Sequence, residues 1–117
     1  MAIVKRIEDV PEIDLASSGD AMGARKQLLI GPADHAPTFA VRLFTLEPGG
    51  YSPLHAHPYE HGVIVLEGEG ELHTPEGPKA LSAGTVALVP PGEEHQFRNR
   101  GAGPFKFLCI VPRHVEE

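Results

Sequence analysis

Turn-forming residues interrupt this chain at short intervals, and that spacing removes most folds from consideration. Gly31-Pro32, Glu47-Pro48-Gly49-Gly50, Glu67-Gly68-Glu69-Gly70, Pro75-Glu76-Gly77-Pro78 and Pro90-Pro91-Gly92 lie between short apolar segments. Segments of that kind, recurring about every ten residues with turn signals between them, are how an all-β chain is built. The thirteen glycines and twelve prolines among 117 residues are spread along the chain rather than gathered in one tract. No internal repeat and no strongly amphipathic helix stands out. The pattern predicts roughly eight or more short strands in a closed or double-sheet architecture, a jelly roll or β-barrel.

A chain of this length makes one domain, with about two-thirds of its unfolded surface buried around a single core. Residues 1–25 form an N-terminal arm, 26–112 the barrel and 113–117 a polar tail expected to fray. Within the arm, Ala2–Val4 and Ile7–Ile13 are expected edge strands and Ala16–Asp20 a loop. The arm would cover a sheet edge in its own subunit or in a partner. The net charge of −6, with scattered Lys and Arg, argues against nucleic acid, which demands a clustered basic surface. The lone Cys109 can form no intrachain disulfide, which fits a reducing compartment. With no signal-like start and no apolar stretch long enough to span a membrane, a cytoplasmic protein is expected.

Side-chain alternation along the strands assigns an interior. In Thr38–Leu46 it places Phe39, Val41 and Leu43 inward, Arg42 outward, and a turn follows at Glu47–Gly50. In Phe105–Cys109, Lys106 faces water and sends Phe105, Phe107 and Cys109 inward. Parity from His61 and His95 adds Val63, Val65 and Phe97. The enclosed space is therefore apolar, with Val63, Phe97, Phe107 and Cys109 as pocket candidates. Phe105 and Val65 are expected to be plain core.

Into that space come histidines. His55, His57 and His61 fall within seven residues, and His95 follows the Pro90-Pro91-Gly92 turn. Alternation puts His55 and His57 on one side of a strand, and Pro58 bends the chain so that His61 can return to the same place. Burying several imidazoles unpartnered costs desolvation each time, whereas one ion at ~2.0–2.2 Å from each nitrogen satisfies them together. An exposed, metal-free cluster is the alternative. His35, His73 and His114 are placed in a loop, on a solvent-facing strand position and in the tail. No nucleophile or general-base constellation accompanies the cluster, so any chemistry would rest on the ion.

These residues resemble the cupin family. The first cupin motif, G-x5-H-x-H-x3,4-E-x6-G, meets Gly49, His55, His57 and Gly68 here; the second, G-x5-P-x-G-x2-H-x3-N, meets Gly84, Pro90, Gly92, His95 and Asn99. The departure is His61, which stands where the first motif has glutamate; Glu60 is one position early. That variant is similar to small single-domain cupins whose metal, typically manganese, is held by four histidines. The resemblance implies His55, His57, His61 and His95 as ligands, one divalent ion per chain (manganese, with iron, zinc, copper or nickel as other candidates) and a homodimer. Glu60 is read either as an acceptor orienting a ligand imidazole or as a solvated residue. Four neutral ligands leave the full charge on the ion, strengthening it as a Lewis acid and making it harder to oxidise. Three functions are open. They are a dioxygenase-type oxidoreductase acting on a small organic molecule, a non-catalytic ligand- or metal-sensing module, and an isomerase or sugar-processing cupin.

Overall fold

The computed structural model describes residues 1–16 and 19–117. Its strands are β1 (Ile13–Asp14), β2 (Met22–Ile30), β3 (Phe39–Tyr51), β4 (His61–Glu67), β5 (Glu69–Thr74), β6 (Gly77–Ser82), β7 (Val86–Val89), β8 (Gln96–Asn99) and β9 (Phe105–Pro112). They pair antiparallel in the order β6-β5-β8-β3-β9-β4-β7, with β2 on β3 and β1 on β2, forming a nearly closed barrel. No helix among the described residues is long and apolar enough to cross a membrane.

β3 organises the barrel. It pairs with β9 from Phe39 to Leu46, with β2 along its length, and at Tyr51 with Arg98 of β8. The turn expected at Glu47–Gly50 is instead part of this strand. Its extra residues form a bulge opposite Gly23, where the register passes from Ala24↔Leu46 to Met22↔Tyr51. Gly50 permits the close approach. A Cβ there would stand 2.8–2.9 Å from the carbonyl oxygens of Glu47, Gly23 and Met22.

The inner face of β3 is also the reverse of the expectation. Ala40, Arg42, Phe44 and Leu46 sit opposite Val111, Cys109, Phe107 and Phe105 of β9, and this set faces inward. Arg42 therefore points into the barrel, while Phe39 is exposed. Alternation misleads here because β3 is covered on both sides. Leu43 and Thr45, on its outer face, are buried as well. The arm lies over the neighbouring strand, where the Gln27 amide donates to the carbonyls of Ile7 and Val10, both at 2.9 Å.

The strands of the arm differ from those expected. Of the two expected edge strands, Ala2–Val4 is irregular and Ile7–Asp9 is a 3-10 turn; among the described residues of the arm the strands are β1 and the start of β2 at Met22. The loop expected at Ala16–Asp20 lies partly outside the described residues. The tail does not fray. Arg113–Glu116 is a 3-10 turn, and the Glu116 carboxylate accepts from Lys26 Nζ at 3.0 Å and Arg42 Nη1 at 3.2 Å. The inward Arg42 is what gives this tail an anchor.

Inside, Leu46, Val63, Val65, Leu72, Leu81, Val89 and the phenylalanines 97, 105 and 107 make one cluster. Each large side chain so buried contributes about 1.5–3 kcal/mol of transfer free energy. That cluster fills the lower barrel and leaves the space above Phe97 and Phe107 to the histidines.

Candidate metal centre

Two segments from opposite ends of the motif region are clipped together before any ion is considered. His55 and His95 form an isolated antiparallel bridge: His55 N–H donates to the His95 carbonyl at 3.2 Å, and His95 N–H to the His55 carbonyl at 2.9 Å. Gly92 N–H donates to the His57 carbonyl at 2.7 Å, and its φ of 78° is one that glycine adopts without strain. Ser52 N–H donates to the Phe97 carbonyl, and Phe97 N–H returns to Ser52 Oγ, each at 2.9 Å. Below them, Asn99 Nδ2 donates to the carbonyls of Leu46 (2.8 Å) and Gly103 (2.9 Å), while its Oδ1 accepts from Gly101 N–H at 2.8 Å. The asparagine of the second motif is thus a structural pin between β8, β3 and the following loop.

On this frame the rings converge. Centroids lie 4.3 Å apart for His55–His57, 5.1 Å for His55–His95 and 4.9 Å for His57–His95. Each of these three offers a ring nitrogen within 4.8 Å of the others. His61 stands beside them, its ring 4.7 Å from His95 and 5.0 Å from His57. The Nε2 atoms of His55 and His57 are 3.1 Å apart. Two nitrogens bound at right angles to one ion at ~2.1 Å would stand about 3.0 Å apart, so this spacing fits a shared ion.

The buried members show what the cluster lacks. His61 and His95 are 3% and 1% exposed, and the Nε2 of each has no hydrogen-bond partner. His95 Nδ1 lies 2.9 Å from the Glu93 carbonyl, which can only accept; Nδ1 therefore carries the proton and Nε2 a free lone pair. Buried nitrogens without partners are costly, and an ion on those lone pairs removes the cost. The donor set fits a divalent metal.

Electrostatics agree. Burial, then repulsion from its neighbours, lowers His57 to about 4, and burial with the charges of His95, His57 and Arg42 lowers His61 to about 3. His55 is lowered too, chiefly by burial. His57 and His61 are thus neutral near pH 7, the form that binds metal. Burial pushes the Cys109 thiol up, against the pull of Arg42.

The cavity over the cluster is small, about 80 Å³, and is lined by Arg42, Phe44, Tyr59, Phe97, Phe107 and Cys109 besides the histidines. Phe97 stacks on Phe107 (4.4 Å, 28°), Phe107 on Phe44 (5.4 Å, 19°), and Tyr59 lies flat against His57 (4.3 Å, 5°). Of the sequence candidates, Phe97, Phe107 and Cys109 reach this cavity. Val63 faces inward but packs within the core cluster, and Glu60 is exposed beside Thr38 and Leu88 on the outer surface. Five wall residues were not anticipated: Arg42, Phe44, Ser52, Pro53 and Tyr59. Phe44 and Arg42 share the misread face of β3, and Tyr59 sits in the irregular link where parity has no meaning. A larger groove of about 680 Å³ runs between the arm and Ile30, Pro37 and Phe39, away from the histidine cluster.

A nearly closed antiparallel barrel with imidazoles gathered from two separate segments defines a small β-barrel protein with a histidine cluster in its cavity, and the chain belongs to the Cupin domain family (Cupin_2), matched over residues 42–111. Cupins commonly bind a divalent metal, and cupin enzymes act on small molecules. The chain is 34% identical over 74 residues to 1-methylthio-D-xylulose 5-phosphate methylsulfurylase of Rhodospirillum rubrum, covering 63% of this chain and 47% of that protein. Among solved structures it is similar to the polyketide cyclase RemF from Streptomyces resistomycificus, with TM-score 0.87 and 28% identity, covering 96% of this chain and 80% of that one. It also resembles a cupin sugar phosphate isomerase from Silicibacter pomeroyi, with TM-score 0.79 and 27% identity over 92% of this chain and 74% of that one. The chain spans between 47% and 60% of the length of the curated relatives it matches.

Proposed function

We propose that His55, His57, His61 and His95 hold one divalent ion, manganese by family likeness, and that the protein transforms a small oxygen-bearing organic molecule there. The observation that carries this reading is the pair of buried, unpartnered Nε2 atoms on His61 and His95, in the cavity shared with His55 and His57. The bound ion would supply Lewis acidity undiminished by any carboxylate ligand. The chain supplies the rest. Phe44, Phe97 and Phe107 keep water from the inner wall. Arg42 places a fixed positive charge where an oxyanion can be stabilised. A cavity of about 80 Å³ admits only the reactive end of a molecule, since whole-ligand pockets run to about 300 Å³ or more.

Arg42 supports one of these reactions over the others. Isomerisation and cyclisation of carbonyl compounds call for a cationic group inside the barrel beside an enolate, and Arg42, although its Nη1 is paired with Glu116, puts a guanidinium on the cavity wall. The similarity to a cyclase and an isomerase supports the same choice. A dioxygenase reaction is the second reading, favoured by the aromatic wall but opposed by four neutral ligands, which make the ion harder to oxidise. The exposed Ile3, Val4 and Ile13 of the arm support a homodimer in which the arm packs between subunits. The buried free thiol of Cys109 suits a cytoplasmic setting.

The test uses manganese-loaded protein and a panel of small enolisable ketones in D₂O under argon, followed by NMR. Metal-dependent exchange at the carbon next to the carbonyl is the expected result. Oxygen consumption in air without such exchange would favour the dioxygenase. Binding without exchange or oxygen uptake would favour a sensing module.

A further inference from the structure

We propose that Cys109 is a positioning residue for His61, holding it in the tautomer that an ion requires, and that Arg42 fixes Cys109 in that task. The inference rests on the four-histidine reading above. It starts from three adjacent strands. Cys109 of β9 is paired with Arg42 of β3 on one side and Val63 of β4 on the other, and His61 lies two residues before Val63 on the same face. The three side chains therefore form a row along the inner wall.

The distances close that row. Arg42 Nη2 is 3.0 Å from Cys109 Sγ, and His61 Nδ1 is 3.1 Å from the same sulfur. A guanidinium can only donate, so the sulfur accepts from Arg42. Two arrangements remain for His61. If the thiol donated to Nδ1, the imidazole proton would sit on Nε2, buried in the cavity with no acceptor. If Nδ1–H donates to the sulfur, Nε2 presents a lone pair to the cavity. The buried Nε2, which has no acceptor for a proton, favours the second, and Arg42 holds the sulfur in place within reach of Nδ1.

The other buried histidine reaches the same state by a different route. The Glu93 carbonyl fixes the Nδ1 proton of His95, leaving its Nε2 free. His61 has Cys109 where His95 has a carbonyl. Arg42 is itself immobilised, with Nη1 on Glu116 at 3.2 Å and its guanidinium 5.1 Å from the centre of the Phe44 ring. The line Glu116–Arg42–Cys109–His61 thus runs from the tail to the cluster, and outer hydrogen bonds of this kind orient a ligand ring and tune its basicity.

The experiment titrates cobalt(II) into metal-free wild type, Cys109→Ala, Cys109→Ser and Arg42→Met, with affinity from chelator competition and geometry from the visible absorption bands. Near-ultraviolet circular dichroism of each metal-free protein reports the fold. The expected result is a loss of affinity of about 10–100-fold with shifted bands in Cys109→Ala, the range found when such outer partners are removed. Cys109→Ser, whose slightly smaller hydroxyl can accept the same two bonds, should stay closer to wild type than Cys109→Ala. Arg42→Met should weaken binding in the same direction as Cys109→Ala. Wild-type affinity and bands in Cys109→Ala would overturn the role. So would an intense sulfur-to-cobalt charge-transfer band in the wild type, which would make Cys109 a ligand instead. A wild type that takes up no cobalt would remove the ion-binding reading and this role with it, whereas sound wild-type binding with an indifferent Cys109→Ala variant removes this role alone.

Discussion

Asn99 and His95 illustrate how single residues divide the labour in this barrel. Four positions apart, one points a lone pair into the cavity and the other ties β8 to Leu46, Gly103 and Gly101. Asn99→Ala leaves the buried Leu46 carbonyl and the part-buried Gly103 carbonyl and Gly101 amide short of partners, and should cost about 1–3 kcal/mol in urea unfolding of the metal-free protein, the usual cost of one unsatisfied buried group. Loss of well under 1 kcal/mol would mean that water replaces the asparagine without penalty. The histidines were legible in the sequence because four ligand-type residues at strand and turn spacing have few other uses. Arg42 was not. The arm lies against the other face of β3, tied by Gln27 to the carbonyls of Ile7 and Val10, and so distant a cover cannot be read from the strand's own residues.

At the scale of elements, parity succeeded where one face meets water and failed where none does. β9 was read correctly because Lys106 marks its outer face, and Phe105, Phe107 and Cys109 are each no more than 1% exposed. β3 has Leu43 and Thr45 buried on one face and Ala40 and Leu46 on the other, so its pattern carried no direction. The segment Glu47–Gly50 looked like a turn because proline and paired glycines usually make one. Here they make a bulge that lets a thirteen-residue strand bend from β9 toward β8. Gly70 on β5 is a glycine of another kind. A Cβ at that site would lie 2.5–2.7 Å from the Phe105 ring and 2.6 Å from the Arg98 carbonyl. Gly70→Ala should therefore lower stability by about 1–3 kcal/mol, the usual cost of overpacking, measured by thermal or chemical unfolding. A neutral result would show that Phe105 yields freely.

For the whole molecule, the barrel is a device for bringing two distant segments to one place. The link 52–57 and the head of β8 meet through the His55–His95 bridge, β4 delivers His61, and the tail closes over the wall through Glu116. The tail's role could not be read from its own residues, because its partners Lys26 and Arg42 lie 90 and 74 positions away. The gathering of His55, His57 and His95, by contrast, was visible in the sequence, since motif spacings encode where the barrel must hold its loops. The central claim is that all four imidazoles share one ion, and manganese(II) titration of metal-free wild type and His61→Ala, by calorimetry with elemental analysis of the products, tests it most directly. The account predicts one ion per chain in the wild type and a loss of affinity in His61→Ala larger than the ~100-fold that removal of an outer partner produces. Unchanged stoichiometry and affinity in His61→Ala would contradict it and leave a site of His55, His57 and His95.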